Sequence, residues 1–149
     1  MTDYAYAARL ISHFEGFIAV ARWDVNAYRL GFGSDTEGPE QRHVTKGMTT
    51  TRARALQNLE KRIPKFEAEI IRQIGAAAWS RLPTHVQGPL LSVAYNYGDL
   101  PDGVAHAVRS GNVNGIASAI KAHENDNHGV NKNRRIAEAA IIASNRNVA

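Results

Sequence analysis

The stretch from Phe17 to Met48 constrains the fold most, because it lacks a helical period and sits between two segments that have one. Glycines at 31, 33, 38 and 47, with Gly38-Pro39 among them, divide it into short pieces. A small antiparallel sheet with irregular turns is expected there, and the Gly31-Phe32-Gly33 run reads as its hairpin. Before it, Ala7, Leu10, Ile11 and Phe14 fall at the i, i+3, i+4, i+7 spacing of one helix face. That helix should stop near Glu15-Gly16, where glycine is a natural terminator. After it, Thr49 to Thr51 offer a hydroxyl cap to a long helix. Its buried stripe is expected at Leu56, Leu59, Ile63, Phe66, Ile70 and Ile74. Pro64 falls within that stripe and is expected to kink or interrupt it.

From Gly75 onward the chain reads as several shorter helices. "HVQGPLLSVAYNYG" is one, with its first turn disturbed by Gly88-Pro89; "VNGIASAIKAH" and "NRRIAEAAIIAS" are others. There is no internal repeat and no low-complexity linker, and 149 residues suffice for one domain with a real core. The expected architecture is α+β: a sheet lobe at about 16–48, a long helix at about 50–74, and a helical lobe at about 75–149 joined by the N-terminal helix.

Composition narrows the chemistry. Without cysteine there is no disulfide, no thiolate metal site and no cysteine nucleophile. No apolar run approaches the roughly 18 residues of a membrane span. Asp3 and Arg9 sit where a cleavable signal would be apolar, so no signal peptide and no stable membrane insertion are expected. A net charge of +4 and a pI near 9.6 favour polyanionic surroundings. The basic residues are dispersed among acids, "KNRR" included, and no nucleic-acid motif is present, so a nucleic-acid partner is not expected. Six histidines form no HExxH pair, and the segment from His123 to His128 reads as a polar loop. Neither a metal site nor a cofactor is expected.

Two acids flank the start of the sheet segment. Cleavage of a glycosidic bond needs one acid to protonate the leaving oxygen and a second carboxylate for charge or water. The first must hold its proton near neutral pH, which suits a partly desolvated glutamate. Glu15, at the end of an apolar helix, fits that description, and Asp24 in the next element can stand across a cleft from it. Alone, two acids nine positions apart are more often ordinary surface residues near a turn.

Their surroundings change that balance. Glu15-Gly16, Asp24 after eight intervening residues, and Leu30-Gly31-Phe32-Gly33 together resemble the opening block of the phage-type lysozymes, glycoside hydrolase family 24. "TKGMTTTRARALQNL", "LLSVAYNYGDL", "SGNVNGIASAI" and "GVNKNRRIAEAAI" resemble later segments of that family in order, so the resemblance covers nearly the whole chain. It implies a lysozyme-like fold, with Glu15 as general acid and Asp24 as second carboxylate. The implied substrate is the β-1,4 bond between N-acetylmuramic acid and N-acetylglucosamine in bacterial peptidoglycan. Arg134 falls where the family places an arginine beside the glutamate; Tyr95, Asn96 and Arg29 are the other expected substrate-side residues. A monomer is expected, made in the bacterial cytoplasm and acting on the cell wall after release.

The pattern departs from the family at one place. Arg29 stands where a threonine is usual, one residue closer to the aspartate, and Ser34 replaces a frequent histidine. Arginine has donors only and cannot accept a hydrogen bond from the attacking water. The alternatives to hydrolysis are therefore a lytic transglycosylase resting mainly on Glu15, and a lysozyme-like module that binds glycan without cutting it. Tyr97 and Tyr95 flank Asn96, one expected in the core and the other at the cleft. Trp23, beside Asp24, can serve as a sugar platform or as a lid on the small lobe, and packing is the favoured expectation; Trp79 is expected in the core, and Arg135 as a solvated residue at a helix start.

Overall fold

Asp3 opens the first helix, its carboxylate accepting the Tyr6 backbone N–H at 2.9 Å. Helix α1 runs Tyr4–Glu15 and ends at Gly16, whose φ of 66° is easily reached only by glycine. The computed structural model describes residues 1–144; positions 145–149 of the expected helical lobe lie outside the described residues. Ala7, Ala8 and Ile11 are buried where α1 meets α2 and α4. Thr2, Tyr4 and Trp79 all donate to the Glu67 carboxylate, tying the start of the chain to the middle of α2.

Strands β1 (Ile18–Asp24) and β2 (Ala27–Gly31) pair antiparallel, with Arg22 opposite Arg29, Trp23 opposite Tyr28 and Asp24 opposite Ala27. The register is irregular between Ile18 and Arg22. The hairpin turn therefore lies at Val25-Asn26, upstream of the expected glycines. It escaped notice because Asp-Val-Asn-Ala carries no Asn-Gly or Asp-Gly signature, and Val25 takes φ +54°, unusual for a β-branched residue. The glycine run makes a second turn, in which Leu30 and Ser34 exchange backbone hydrogen bonds of 2.9 and 3.0 Å. Two-residue strands β3 (Thr36–Glu37) and β4 (Arg42–His43) form a separate pair.

Gly31 is required twice over: its φ is +63°, and a Cβ there would lie 2.9 Å from the Ala55 Cβ on α2. Replacing it with alanine is expected to cost about 1–3 kcal/mol, from backbone strain and overpacking together. A urea midpoint equal to that of the parent protein would refute this.

Helix α2 (Arg52–Ile74) is capped by Thr51, which accepts the Arg54 N–H at 3.3 Å. It continues through Pro64 rather than breaking. Pro64 and Glu60, whose carbonyl loses its partner, both lie on the exposed face, so water can satisfy that carbonyl. Ala55, Asn58, Leu59, Ile63, Ile70 and Ile74 are buried, while Leu56 and Phe66 are half-buried. Helix α3 (Ala76–Ser80) follows, and then α4 (Thr84–Tyr97), buried at every position from His85 to Ala94. Gly88-Pro89 does not disturb its first turn. A Cβ on Gly88 would come 2.4 Å from the Tyr6 ring, so this glycine permits the close approach of α4 to α1.

Helix α5 (Asp102–Ser110) was not distinguished from the sequence. It is followed by α6 (Val113–Lys121), capped by Asn112, and a distorted turn α7 (Asp126–Gly129) with Asn127 and His128 in left-handed conformations. Helix α8 (Lys132–Ala143) packs on α4 and α6. The result is an α+β fold in which small antiparallel sheets precede a mainly helical region. No helix among the described residues is long and apolar enough to cross a membrane.

Candidate active site

Glu15 ends α1 with its side chain one-fifth exposed, and Arg134 reaches it from α8. The Arg134 Nη1 donates to Glu15 Oε1 at 2.6 Å. Its Nε and Nη2 donate to the Ser92 hydroxyl at 3.2 and 3.1 Å, and Nη2 also to the Ser92 carbonyl at 3.1 Å. The guanidinium lies 5.3 Å from the Phe14 ring centre. A planar cation held on so many sides fixes the direction in which Glu15 points. Arg134 is buried behind Glu15 and is not part of the cleft lining.

A second buried layer supports that cation. Glu138 lies 3.5 Å from Arg134 and 2.6 Å from Arg135, and both Glu138 and Arg135 are fully inaccessible. Arg135 is thus no solvated residue: α8 turns it inward, where it also sits 5.2 Å from the Tyr97 ring centre. Burial pushes the Glu138 carboxyl above its ordinary pKa, against the opposing pull of Arg135, Ser92 and Arg134.

The glycine turn faces Glu15 from the sheet side. A Cβ on Gly33 would stand 3.3 Å from Glu15 Oε2, so the absence of a side chain lets the loop come close. This loop is held in place from the helices. The Tyr95 hydroxyl donates to the Phe32 carbonyl at 2.9 Å and accepts from Arg62 at 3.0 Å. Burial raises the Tyr95 pKa to about 12 despite the nearby Arg62, so the hydroxyl keeps its proton and its donor role. Arg62 also bonds Asp35 at 3.2 Å. Asn58 joins in from α2, donating to the Ser34 hydroxyl at 3.0 Å and to the Thr36 carbonyl at 2.9 Å.

Between these parts lies an open cleft of about 550 Å³. Glu15, Asp24, Arg29, Tyr95 and Asn96 all line it, so five of the six residues singled out in the sequence meet at one site. Asp24 stands at the end of β1, exposed, with no side-chain hydrogen bond or ion pair among the described residues. Arg29 is half-buried and points its charge at Asp35, 3.7 Å away, rather than at Asp24. Thr36 is occupied elsewhere, donating to the Gln41 side chain at 2.8 Å. Asn96 is exposed in the cleft.

Ile18, Arg22, Trp23 and Gly33 complete the lining. Trp23 does not pack into the core: it is 58% exposed, its ring edge-on to Tyr28 at 5.2 Å. Trp79, by contrast, is buried. Tyr97 points away from the cleft, donating to Asp126 at 2.8 Å. Sequence reasoning passed over Arg22, although strand alternation puts it on the same face as Asp24. It also passed over Ser92, for which a serine within an apolar helix gives no signal.

The sequence profile of the phage lysozyme family matches residues 12–138. No curated protein matches the chain significantly by sequence. Among solved structures, the chain is similar to a P22 lysozyme variant, at TM-score 0.75 and 18% identity over 95% of this chain and 98% of that one. It is also similar to the endolysin of Escherichia coli O157:H7 phage FAHEc1, at TM-score 0.68 and 22% identity over 97% and 94%. A third likeness is the muramidase domain of SpmX from Asticaccaulis excentricus, at TM-score 0.71 and 19% identity over 92% and 94%. At such identities these structures speak for the fold alone, whereas the family profile spans the Glu15 helix end, the cleft and the Arg134 helix. The chain belongs to the phage lysozyme family, the peptidoglycan-degrading glycoside hydrolases.

Proposed function

We propose that the chain is a muramidase that hydrolyses the β-1,4 bond between N-acetylmuramic acid and N-acetylglucosamine, with Glu15 as general acid and Asp24 as second carboxylate. The observation that carries this reading is that both carboxylates line one cleft, one clamped by a buried arginine and the other without a side-chain partner among the described residues. Glu15 protonates the leaving oxygen through Oε2, the oxygen that Arg134 leaves unengaged. Asp24 faces the cation-like sugar of the transition state and accepts from the attacking water. It does so without help from residue 29, whose guanidinium only donates, or from Thr36, which does not line the cleft. Asn96 offers its amide to sugar substituents, and the exposed Trp23 ring gives a sugar face a surface to stack on.

The test is product analysis after digestion of purified peptidoglycan. Reducing ends support hydrolysis; 1,6-anhydro ends would replace it with transglycosylation, in which the muramic 6-hydroxyl attacks. Asp24→Asn is expected to lower the rate of reducing-end release at least 100-fold, on the order of an acid–base contribution. Near-parental activity in that variant would remove Asp24 from the mechanism.

A further inference from the structure

The sheet side of the cleft holds two arginines, and neither is hydrogen-bonded to an acidic side chain among the described residues. Arg22 and Arg29 are directly opposed across the β1–β2 pair, an arrangement that repels unless something negative intervenes. Arg22 is exposed and has no acidic partner within ion-pair distance among the described residues. Arg29 has only Asp35, at 3.7 Å and without a hydrogen bond; Asp35 is already bonded to Arg62 at 3.2 Å. Both arginines line the cleft on either side of the turn that presents Asp24.

We infer that Arg22 and Arg29 form a carboxylate-binding subsite that takes the peptide stem of the substrate; this rests on the muramidase reading above. The glycan chain itself supplies no anion, because its lactyl group is consumed in the amide link to the peptide. The stem carries free carboxylates and is attached to the muramic acid ring, next to the bond to be broken. A stem leaving the cleft over β1 and β2 brings a carboxylate to two guanidinium groups that present only donors. Arginine at position 29 is then a specificity residue: it exchanges a hydroxyl near the water for recognition of the crosslinking peptide.

The test measures binding without cleavage. Glu15→Gln protein is co-sedimented with purified diaminopimelate-type sacculi free of teichoic acid, before and after the stem carboxylates are amidated with carbodiimide and ammonia. Binding is expected to fall about tenfold on amidation, the loss of one charge-assisted contact. In the same background Arg22→Gln with Arg29→Gln should bind both preparations equally weakly. Arg22→Gln alone, which removes no hydrogen bond or ion pair among the described residues, should lose part of the discrimination. Lys46→Gln with Lys65→Gln, an equal charge change at exposed sites outside the cleft, should keep it all. Equal binding of both preparations by the Glu15→Gln protein overturns the proposal. So does discrimination that survives in the double-arginine variant, or that vanishes in the lysine variant. Failure of the muramidase reading shows separately, as absence of glycan ends from unmodified protein.

Discussion

Glu15→Gln is expected to reduce peptidoglycan cleavage by about 10²–10⁴-fold, the usual contribution of a general acid, while leaving the fold intact. The amide is isosteric, and its carbonyl oxygen can still accept from Arg134 Nη1, so the clamp of Ser92, Arg134 and residue 15 survives. What disappears is the proton for the leaving oxygen. The measurement is the initial rate of reducing-end release, with thermal unfolding of the same sample as the control. A variant with lost activity and an unchanged melting temperature fits the assignment. One that cleaves at even a tenth of the parental rate would show that another group protonates the leaving oxygen.

The largest loss of stability is expected at Glu138, which touches neither cleft nor solvent. Glu138→Gln leaves the fully buried Arg135 without its one ion-pair partner among the described residues and takes the support from behind Arg134. Breaking such a pair from one side costs about 3–5 kcal/mol, because the remaining charge stays desolvated. For a chain of this size that is roughly 6–20 °C in melting temperature. Replacing Arg135 and Glu138 together by apolar residues should recover much of the loss, since no charge is then stranded. If Glu138→Gln melts within 2 °C of the parent, Arg135 must find another partner or water, and the buried pair is not what holds α8 in place.

These two residues also mark how far the chain could be read before it was seen folded. Glu15 was legible because everything that exposes it is local: the apolar stripe ending at Phe14 and the glycine that stops the helix. Glu138 was illegible, because an acid three positions after an arginine in a helix most often forms an exposed pair. Only the docking of α8 on α4 and α6 encloses it. The interruption expected at Pro64 is absent for a related reason. Whether a proline breaks a helix depends on which face carries the orphaned carbonyl, and the facing direction of α2 is settled by its neighbours. Packing is the favoured expectation for Trp23, yet at the tip of a two-stranded hairpin there is no second layer to cover it.

The sequence by itself determined the first helix with its glycine stop, the hydroxyl cap and most of the buried stripe of α2, and the family to which the chain belongs. Each of these depends on spacings within a few turns of helix or on short motifs in order. Only the tertiary structure decided that Ser92 anchors the Arg134 that clamps Glu15 from 119 positions away, and that Arg29 turns to Asp35 while, among the described residues, Asp24 and Arg22 have no ion-pair partner. The physical reason is range. Backbone preferences and amphipathic periods act between near neighbours in the chain. The partner of a charge depends on which distant element comes within a few ångströms of it, and that is fixed when the core packs.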